Sequence, residues 1–149
     1  MTDQEQLYAF IDSEIEPISP NDIANGRLAV ADSWLVEEGR ARHHQEHFDR
    51  FALWVSAINP DLQLEEFFTQ VTALIPREGA WFPRIEFLVS DLSGDSSGDF
   101  QLVLRMREAP EREQTITLWS YSEADPRVSP TIKGPDLSLG MQMRRAAQM

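Results

Sequence analysis

Residues 44–58 read HQEHFDRFALWVSAI, and this stretch decides where the helical part of the fold begins. Large apolar side chains recur along it at the spacing of one helix face: Phe48, Phe51, Val55 and Ile58. Residues three and four apart share a face of an α-helix, so the pattern predicts an amphipathic helix over 44–58. Its apolar face should pack against a hydrophobic core.

A second helix is predicted directly after the first. Asn59 is a good N-cap, and Pro60 suits the first helical position because the missing proline N–H would have no helical partner there. Pro76 ends the segment. The apolar residues between these limits again share one face: Leu64, Phe67, Phe68, Val71 and Leu74.

Strands are predicted before the helices. Residues 6–18 favour a β-hairpin around a polar tip, and a helix over 4–15 is the alternative. Residues 28–36 favour a strand that turns at Glu38–Gly39 and returns over 40–43.

Strands are also predicted after the helices, at 81–92, 100–107 and 115–121, and a polar loop over 93–99 joins the first two. The order of elements predicts an α+β fold with an antiparallel sheet and two central helices. A further short amphipathic helix is expected near the chain end.

The composition changes after residue 121, which predicts a division into parts. We expect a small N-terminal α+β domain over 1–121 and an interdomain linker over 122–132. Residues 133–149 are then the start of a second domain.

Composition excludes several functional classes. The chain has no cysteine, which rules out disulfides, thiolate metal sites and a cysteine nucleophile. No apolar run is long enough to span a bilayer, and the acidic N-terminus is unlike a signal peptide. A net charge of −12 argues against nucleic acid or anionic lipid as a partner. We therefore expect a cytoplasmic protein, although composition alone does not name its function.

Two clusters resemble metal sites in part. His43 and His47 are four residues apart on a helix face, with His44 beside them, but no acid or cysteine completes a familiar spacing. The acids near residue 95 are four apart, which is not the spacing of a calcium loop: Asp91, Asp95 and Asp99. Ordinary polar surface is the simpler explanation for both clusters, and we assign no metal ligand.

Two other residues have suggestive chemistry. Arg50 carries a planar, five-donor group suited to phosphate or carboxylate, although the helix pattern alone favours a surface arginine. Lys133 is the only lysine in a chain with twelve arginines, and it lies in a segment rich in proline and glycine. Apolar surroundings favour the neutral amine, which is the form that attacks carbonyl groups to make a Schiff base.

Four stretches resemble the class IV aminotransferases, which are the pyridoxal 5'-phosphate (PLP) enzymes of fold type IV. The stretches are ADSWLVEEGR at 31–40, HFDRF at 47–51, PRIE at 83–86 and IKGPDL at 132–137. The family includes branched-chain and D-amino-acid aminotransferases and 4-amino-4-deoxychorismate lyase. The resemblance runs from about residue 28 to the chain end, and its strongest element is Lys-Gly-Pro-Asp.

The resemblance implies roles for two residues. Lys133 matches the catalytic lysine that binds PLP as a Schiff base and moves a proton between substrate and cofactor. Arg50 matches the arginine of the His-x-x-Arg element, which binds the phosphate of PLP. Where the family usually has Phe-Glu, this chain has Ala31–Asp32.

The implied function is amino-group transfer between an amino acid and a 2-oxo acid, in a homodimer. A lyase that releases pyruvate from aminodeoxychorismate is one alternative, and a non-catalytic small domain that acts through a partner is another. Members of the family carry a second domain of comparable size, so the resemblance implies that this chain is an N-terminal portion.

Overall fold

The computed structural model describes residues 5–23, 26–90 and 99–149. Within these residues the fold is α+β, with eight strands and three α-helices. The strands are β1 (Gln6–Ile11), β2 (Glu14–Pro17), β3 (Arg27–Ser33), β4 (Val36–Glu37), β5 (Arg40–Ala41), β6 (Ala80–Trp81), β7 (Arg84–Val89) and β8 (Phe100–Met106). The helices are α1 (His44–Ile58), α2 (Glu65–Leu74) and α3 (Leu137–Ala147).

The strands form two antiparallel sheets. The larger has the order β2-β1-β8-β7-β3, and the smaller has the order β5-β4-β6. Helix α1 contacts β3, and α2 contacts β2 at the opposite edge of the larger sheet. The expected α+β class with antiparallel pairing is therefore confirmed. None of the helices in the described part of the chain has the length and apolarity needed to cross a membrane.

The core lies between the two central helices and one face of the larger sheet. Side chains alternate across a strand, so every second residue of β7 and β8 points into this core. The helices supply the other half, and the bounds expected for α1 are confirmed. The buried core includes Phe48, Phe51, Val55, Phe67, Val71, Ile85, Phe87, Leu102, Leu104 and Met106.

Two tight hairpins confirm the turns expected from the sequence. Asp12 and Ser13 join β1 to β2, and both have positive φ, at 49° and 69°. Glu38 and Gly39 join β4 to β5 in the same way, at 49° and 71°. Two-residue turns with positive φ match the twist of the strands on either side. The alternative helix over 4–15 is therefore wrong.

Helix α2 begins later than its sequence signals predicted. The backbone N–H of Asn59 donates to the carbonyl of Val55 at 2.8 Å, so Asn59 ends α1 and does not cap α2. Leu62 N–H then donates to the Asn59 carbonyl at 3.3 Å, which turns the chain before Glu65. The prediction of a helix start at Asn59–Pro60 was wrong because Asn59 can cap either the end of one helix or the start of the next, and here it ends α1.

The segment 115–121 forms no strand, contrary to the prediction. Its large apolar side chains are exposed: Ile116, Leu118, Trp119 and Tyr121. Strand propensity alone does not suffice, because a strand also needs an edge with which to pair. Residues Phe82–Pro83 also divide the predicted strand 81–92 into β6 and β7. The loop predicted over 93–99 lies outside the described residues except for Asp99, as do Asp91 and Asp95.

The segment that carries Lys133 lies against the outer edge of β3. Ala31 N–H donates to the Lys133 carbonyl at 2.7 Å. The next residue, Gly134, has a φ of +152°, and a Cβ on it would lie 2.9 Å from the Ala29 carbonyl oxygen and 3.0 Å from Val30 Cα. This close approach of two backbones needs a residue without a side chain.

We expect Gly134→Ala to detach this segment from β3. The added methyl group clashes with backbone atoms, which cannot move aside without disturbing the sheet. The Ala31 amide should then exchange its hydrogen roughly tenfold faster or more, measured by NMR. Gly140→Ala in α3 is the matched control, because its added Cβ meets no atom within 4 Å. Unchanged Ala31 exchange in Gly134→Ala would contradict the assigned packing.

Candidate active site

A buried carboxylate lies at the centre of the candidate site. Asp32 is on the edge strand β3, among apolar residues, and its side chain is only 1% exposed. Burial of an ionised carboxylate is costly unless charged and hydrogen-bonding groups surround it. Those groups come from α1 and from the segment that follows Ile132.

Helix α1 contributes Arg50 and His47. The Nε of Arg50 donates to Oδ2 of Asp32 at 2.7 Å, and its Nη2 donates to Oδ1 at 2.8 Å. This two-point arrangement is the strong geometry of a guanidinium–carboxylate pair. Nδ1 of His47 lies 2.9 Å from Oδ1. Because the two residues are three apart on the helix, both side chains reach β3 from the same face.

Lys133, which is distant from Asp32 in the sequence, lies close to the same carboxylate in the structure. Its Nζ donates to Oγ of Ser33 at 2.6 Å and lies 3.7 Å from Oδ1 of Asp32. The lysine side chain is about two-thirds buried, with 32% exposed. The fold therefore brings together Arg50 and Lys133, the two residues that the sequence singled out.

The site shifts the pKa values of its charged groups. Burial lowers the pKa of Lys133, and the charges of Arg50 and Arg84 lower it further, against the opposing charge of Asp32. Burial works to raise the pKa of Asp32, but hydrogen bonds from Arg50 and His47 outweigh it, so the net pKa is lowered. The hydrogen bonds to Asp32 raise the pKa of Arg50. The site thus favours an ionised carboxylate and moves the lysine towards its neutral amine.

A cleft of about 580 Å³ opens beside these residues. A volume of this size is typical of small-molecule sites. The cations that line it are Arg50, Arg127, Lys133 and Arg144. Asp136 is the one acid among the described lining residues, and it accepts hydrogen bonds from the backbone N–H groups of Val128 and Ser129. Arg50 is paired with Asp32 and Arg127 with Asp125, which leaves a small excess of positive charge that favours an anionic ligand.

The three histidines considered as metal ligands do not converge. Nδ1 of His43 lies 3.1 Å from Oε1 of Glu46 at the surface. His44 packs among aromatic rings, and burial lowers its pKa. Nδ1 of His47 contacts the carboxylate of Asp32. In the described ranges, no group of three or more histidine, aspartate or glutamate side chains could hold a metal ion.

Asp32 is the residue of the candidate site that sequence reasoning missed. The sequence comparison noted only that Ala31–Asp32 stands where the class IV family has Phe-Glu, and it gave Asp32 no role. A usable signal was present, because one acid in the apolar strand predicted over 28–36 must find cationic partners. The structure shows that His47 and Arg50, one helical turn apart, are two of these partners.

Comparison with known proteins leaves the family open. No protein-family model matches the chain, and no curated protein matches it either. Among solved structures, the chain is similar to a fold IV transaminase, CpuTA1 from Curtobacterium pusillum, at 12% sequence identity and a TM-score of 0.49. The match covers 72% of this chain and 44% of the transaminase, so this chain spans less than half of that protein. The functional argument therefore depends on the site.

Proposed function

We propose that this chain carries the lysine and the phosphate-binding arginine of a PLP-dependent aminotransferase of class IV. The reaction would move an amino group between an amino acid and a 2-oxo acid. One observation carries the proposal. A largely buried amine with a lowered pKa, that of Lys133, lines the same small-molecule cleft as Arg50. A neutral amine can bind an aldehyde covalently, and a guanidinium can bind a phosphate.

The residues present fit PLP. The cleft has the volume for a small molecule, and its lining carries more positive than negative charge, which suits the phosphate. Lys133 would hold the cofactor covalently, and Arg50 would hold its phosphate. Asp32 occupies Nε and Nη2 of Arg50, but 51% of the arginine side chain stays exposed, so the group can also meet an anion. When bound, PLP supplies an electron sink for the substrate α-carbon.

The protein side chains position the amine and move the proton. Oγ of Ser33 accepts a hydrogen bond from Nζ of Lys133 and fixes it beside the edge of β3. In its neutral form this amine is the base that takes a proton from the substrate α-carbon and later returns it. Arg50 would hold the anionic end of the cofactor and so help to orient it towards Nζ of Lys133.

Other parts of an aminotransferase site stay predictions. The cofactor needs an acid at its ring nitrogen, and both oxygens of Asp136 already accept backbone hydrogen bonds. The resemblance places that acid in a second domain. The second domain, the homodimer and the identity of the amino acid are therefore proposed on the resemblance alone.

Titration with PLP tests the proposal. The protein should develop the visible absorption of PLP bound covalently to an amine, and absence of this band would count against the function. Arg50→Gln should weaken PLP binding roughly tenfold, because one charge-assisted contact is lost. Pyridoxal, which lacks the phosphate, should lose less affinity than PLP on the same substitution, because only PLP makes the phosphate contact. Arg145→Gln, an exposed residue of α3 outside the cleft lining, is the control and should bind PLP normally.

A further inference from the structure

We propose that Asp32 is a positioning residue, which holds the Lys133 amine and the Arg50 guanidinium in a fixed relation by binding both at one carboxylate. This role concerns the side chains themselves and does not depend on PLP. It therefore goes beyond the aminotransferase proposal and can fail separately from it.

The geometry supports a single shared anchor. Oδ1 of Asp32 lies 2.8 Å from Nη2 of Arg50, 2.9 Å from Nδ1 of His47 and 3.7 Å from Nζ of Lys133. Oδ2 receives the second hydrogen bond from Arg50. Because the Asp32 side chain is buried on a strand paired with β7, it is a more rigid reference point than the half-exposed arginine or the lysine.

The distribution of charge gives Asp32 a second effect. The groups that act on the Lys133 amine are Asp32 from β3, Arg50 from α1 and Arg84 from β7, and His47 faces it across Asp32. Of these, only Asp32 is negative. Without that charge, the amine would remain beside two arginines and would lose its proton more readily. Asp32 thus attracts the amine, which Ser33 also holds by a hydrogen bond, and limits how far its pKa falls.

The single lysine makes the proposal directly measurable. Lysine labelled with ¹³C at the ε-carbon gives one side-chain NMR signal, whose titration reports Lys133 alone. An acylating reagent for amines modifies Lys133 and the chain's α-amine, which peptide mass spectrometry separates. Both measurements use the full chain without any cofactor, so a failure to bind PLP would leave them unaffected.

Asp32→Asn should lower the pKa of Lys133 and raise its rate of acylation at neutral pH by about threefold or more, since more of the amine is neutral. Asp32→Glu keeps the charge and should restore most of the wild-type behaviour. Asp49→Asn removes one negative charge from an exposed site on α1, and its Lys133 should behave as in wild type. A folded Asp32→Asn with an unchanged titration and an unchanged acylation rate would overturn the proposal.

Asp32→Asn leaves Arg50 without its charged partner and can destabilise the fold, so circular dichroism must accompany the measurement. Arg50→Gln provides the second test, with the same check of folding, because glutamine can still donate a hydrogen bond to Asp32. Loss of the arginine should raise the pKa of Lys133 and slow its acylation by about threefold, since a positive charge beside the amine is removed while the charge of Asp32 stays. If Arg50→Gln left acylation unchanged or accelerated it, Asp32 would not be the shared anchor.

Discussion

Under the proposed function, replacing Lys133 by methionine should abolish the covalent capture of PLP and lower the proposed amino-group transfer by roughly 10²–10⁴-fold or more. The chain has no second lysine that could take its place. Methionine has a similar length but offers neither a nucleophile nor a base. Borohydride reduction after addition of PLP should raise the intact mass of the wild type by one cofactor, and Lys133→Met should show no such increase at this site.

Two further variants test whether the amine of Lys133 is needed for its chemistry, rather than for its positive charge or as an amine anywhere in the chain. Lys133→Arg keeps a positive charge, but its guanidinium stays protonated and cannot attack an aldehyde, so it should fail like methionine. In the Lys133→Met background, Arg145→Lys places a lysine on the exposed face of α3. This relocated amine reacts with PLP only as any exposed lysine does, so it should not restore activity or the wild-type affinity for PLP. Recovery of wild-type affinity for PLP by the relocated lysine would contradict the assignment.

Phe51→Ala should lower the free energy of unfolding by about 3–5 kcal/mol, because it removes a large ring from a closely packed interior. Phe51 is fully buried between α1 and the sheet, near the ring of Phe68. A loss of this size is a large part of the total stability of an ordinary domain. Chemical denaturation followed by tryptophan fluorescence would measure it.

Leu53→Ala is the matched control on the same helix. Its side chain is 62% exposed, so its loss should change the free energy of unfolding by no more than about 0.5 kcal/mol. Equal effects at Phe51 and Leu53 would mean that α1 does not present the observed face to the core. A much larger effect at Phe51 would confirm the orientation that also directs His47 and Arg50 to β3.

Local patterns in the sequence predicted the elements whose formation depends mainly on residues close together in the chain. The apolar spacing of α1 is enough to define its bounds, since one face must be buried for the helix to persist. The hairpin of β1 and β2 follows from apolar strands on either side of Asp12 and Ser13, which tolerate the required turn. Neither element needs information from distant residues.

Elements that depend on tertiary partners could not be predicted in this way. Asn59 has the chemistry to cap a helix at either end, and only the observed bond to Val55 shows which end it serves. The residues 115–121 have strong strand propensity, but pairing is decided by which edges are free. Both cases show that a correct local preference can be overridden by the surrounding fold.

The candidate site was predictable in part. The chemistry of Lys133 and Arg50 could be inferred from residue type, rarity and resemblance. That the two side chains meet at Asp32 could not be inferred, because this depends on the packing of α1 against β3 and on the close approach of Gly134 to the same strand. The role of Asp32 follows from burial and distance, and neither can be measured in a linear sequence.

The contact between Ala31 and Lys133 has a consequence for solubility. Strand β3 is an outer strand of the larger sheet, and unpaired backbone groups on such a strand can recruit strands from other molecules. The Lys133 carbonyl takes the Ala31 N–H, and Gly134 lies directly against Ala29 and Val30. The residues that carry the amine therefore also shield the sheet from self-association, and displacing them would favour aggregation as well as loss of the site.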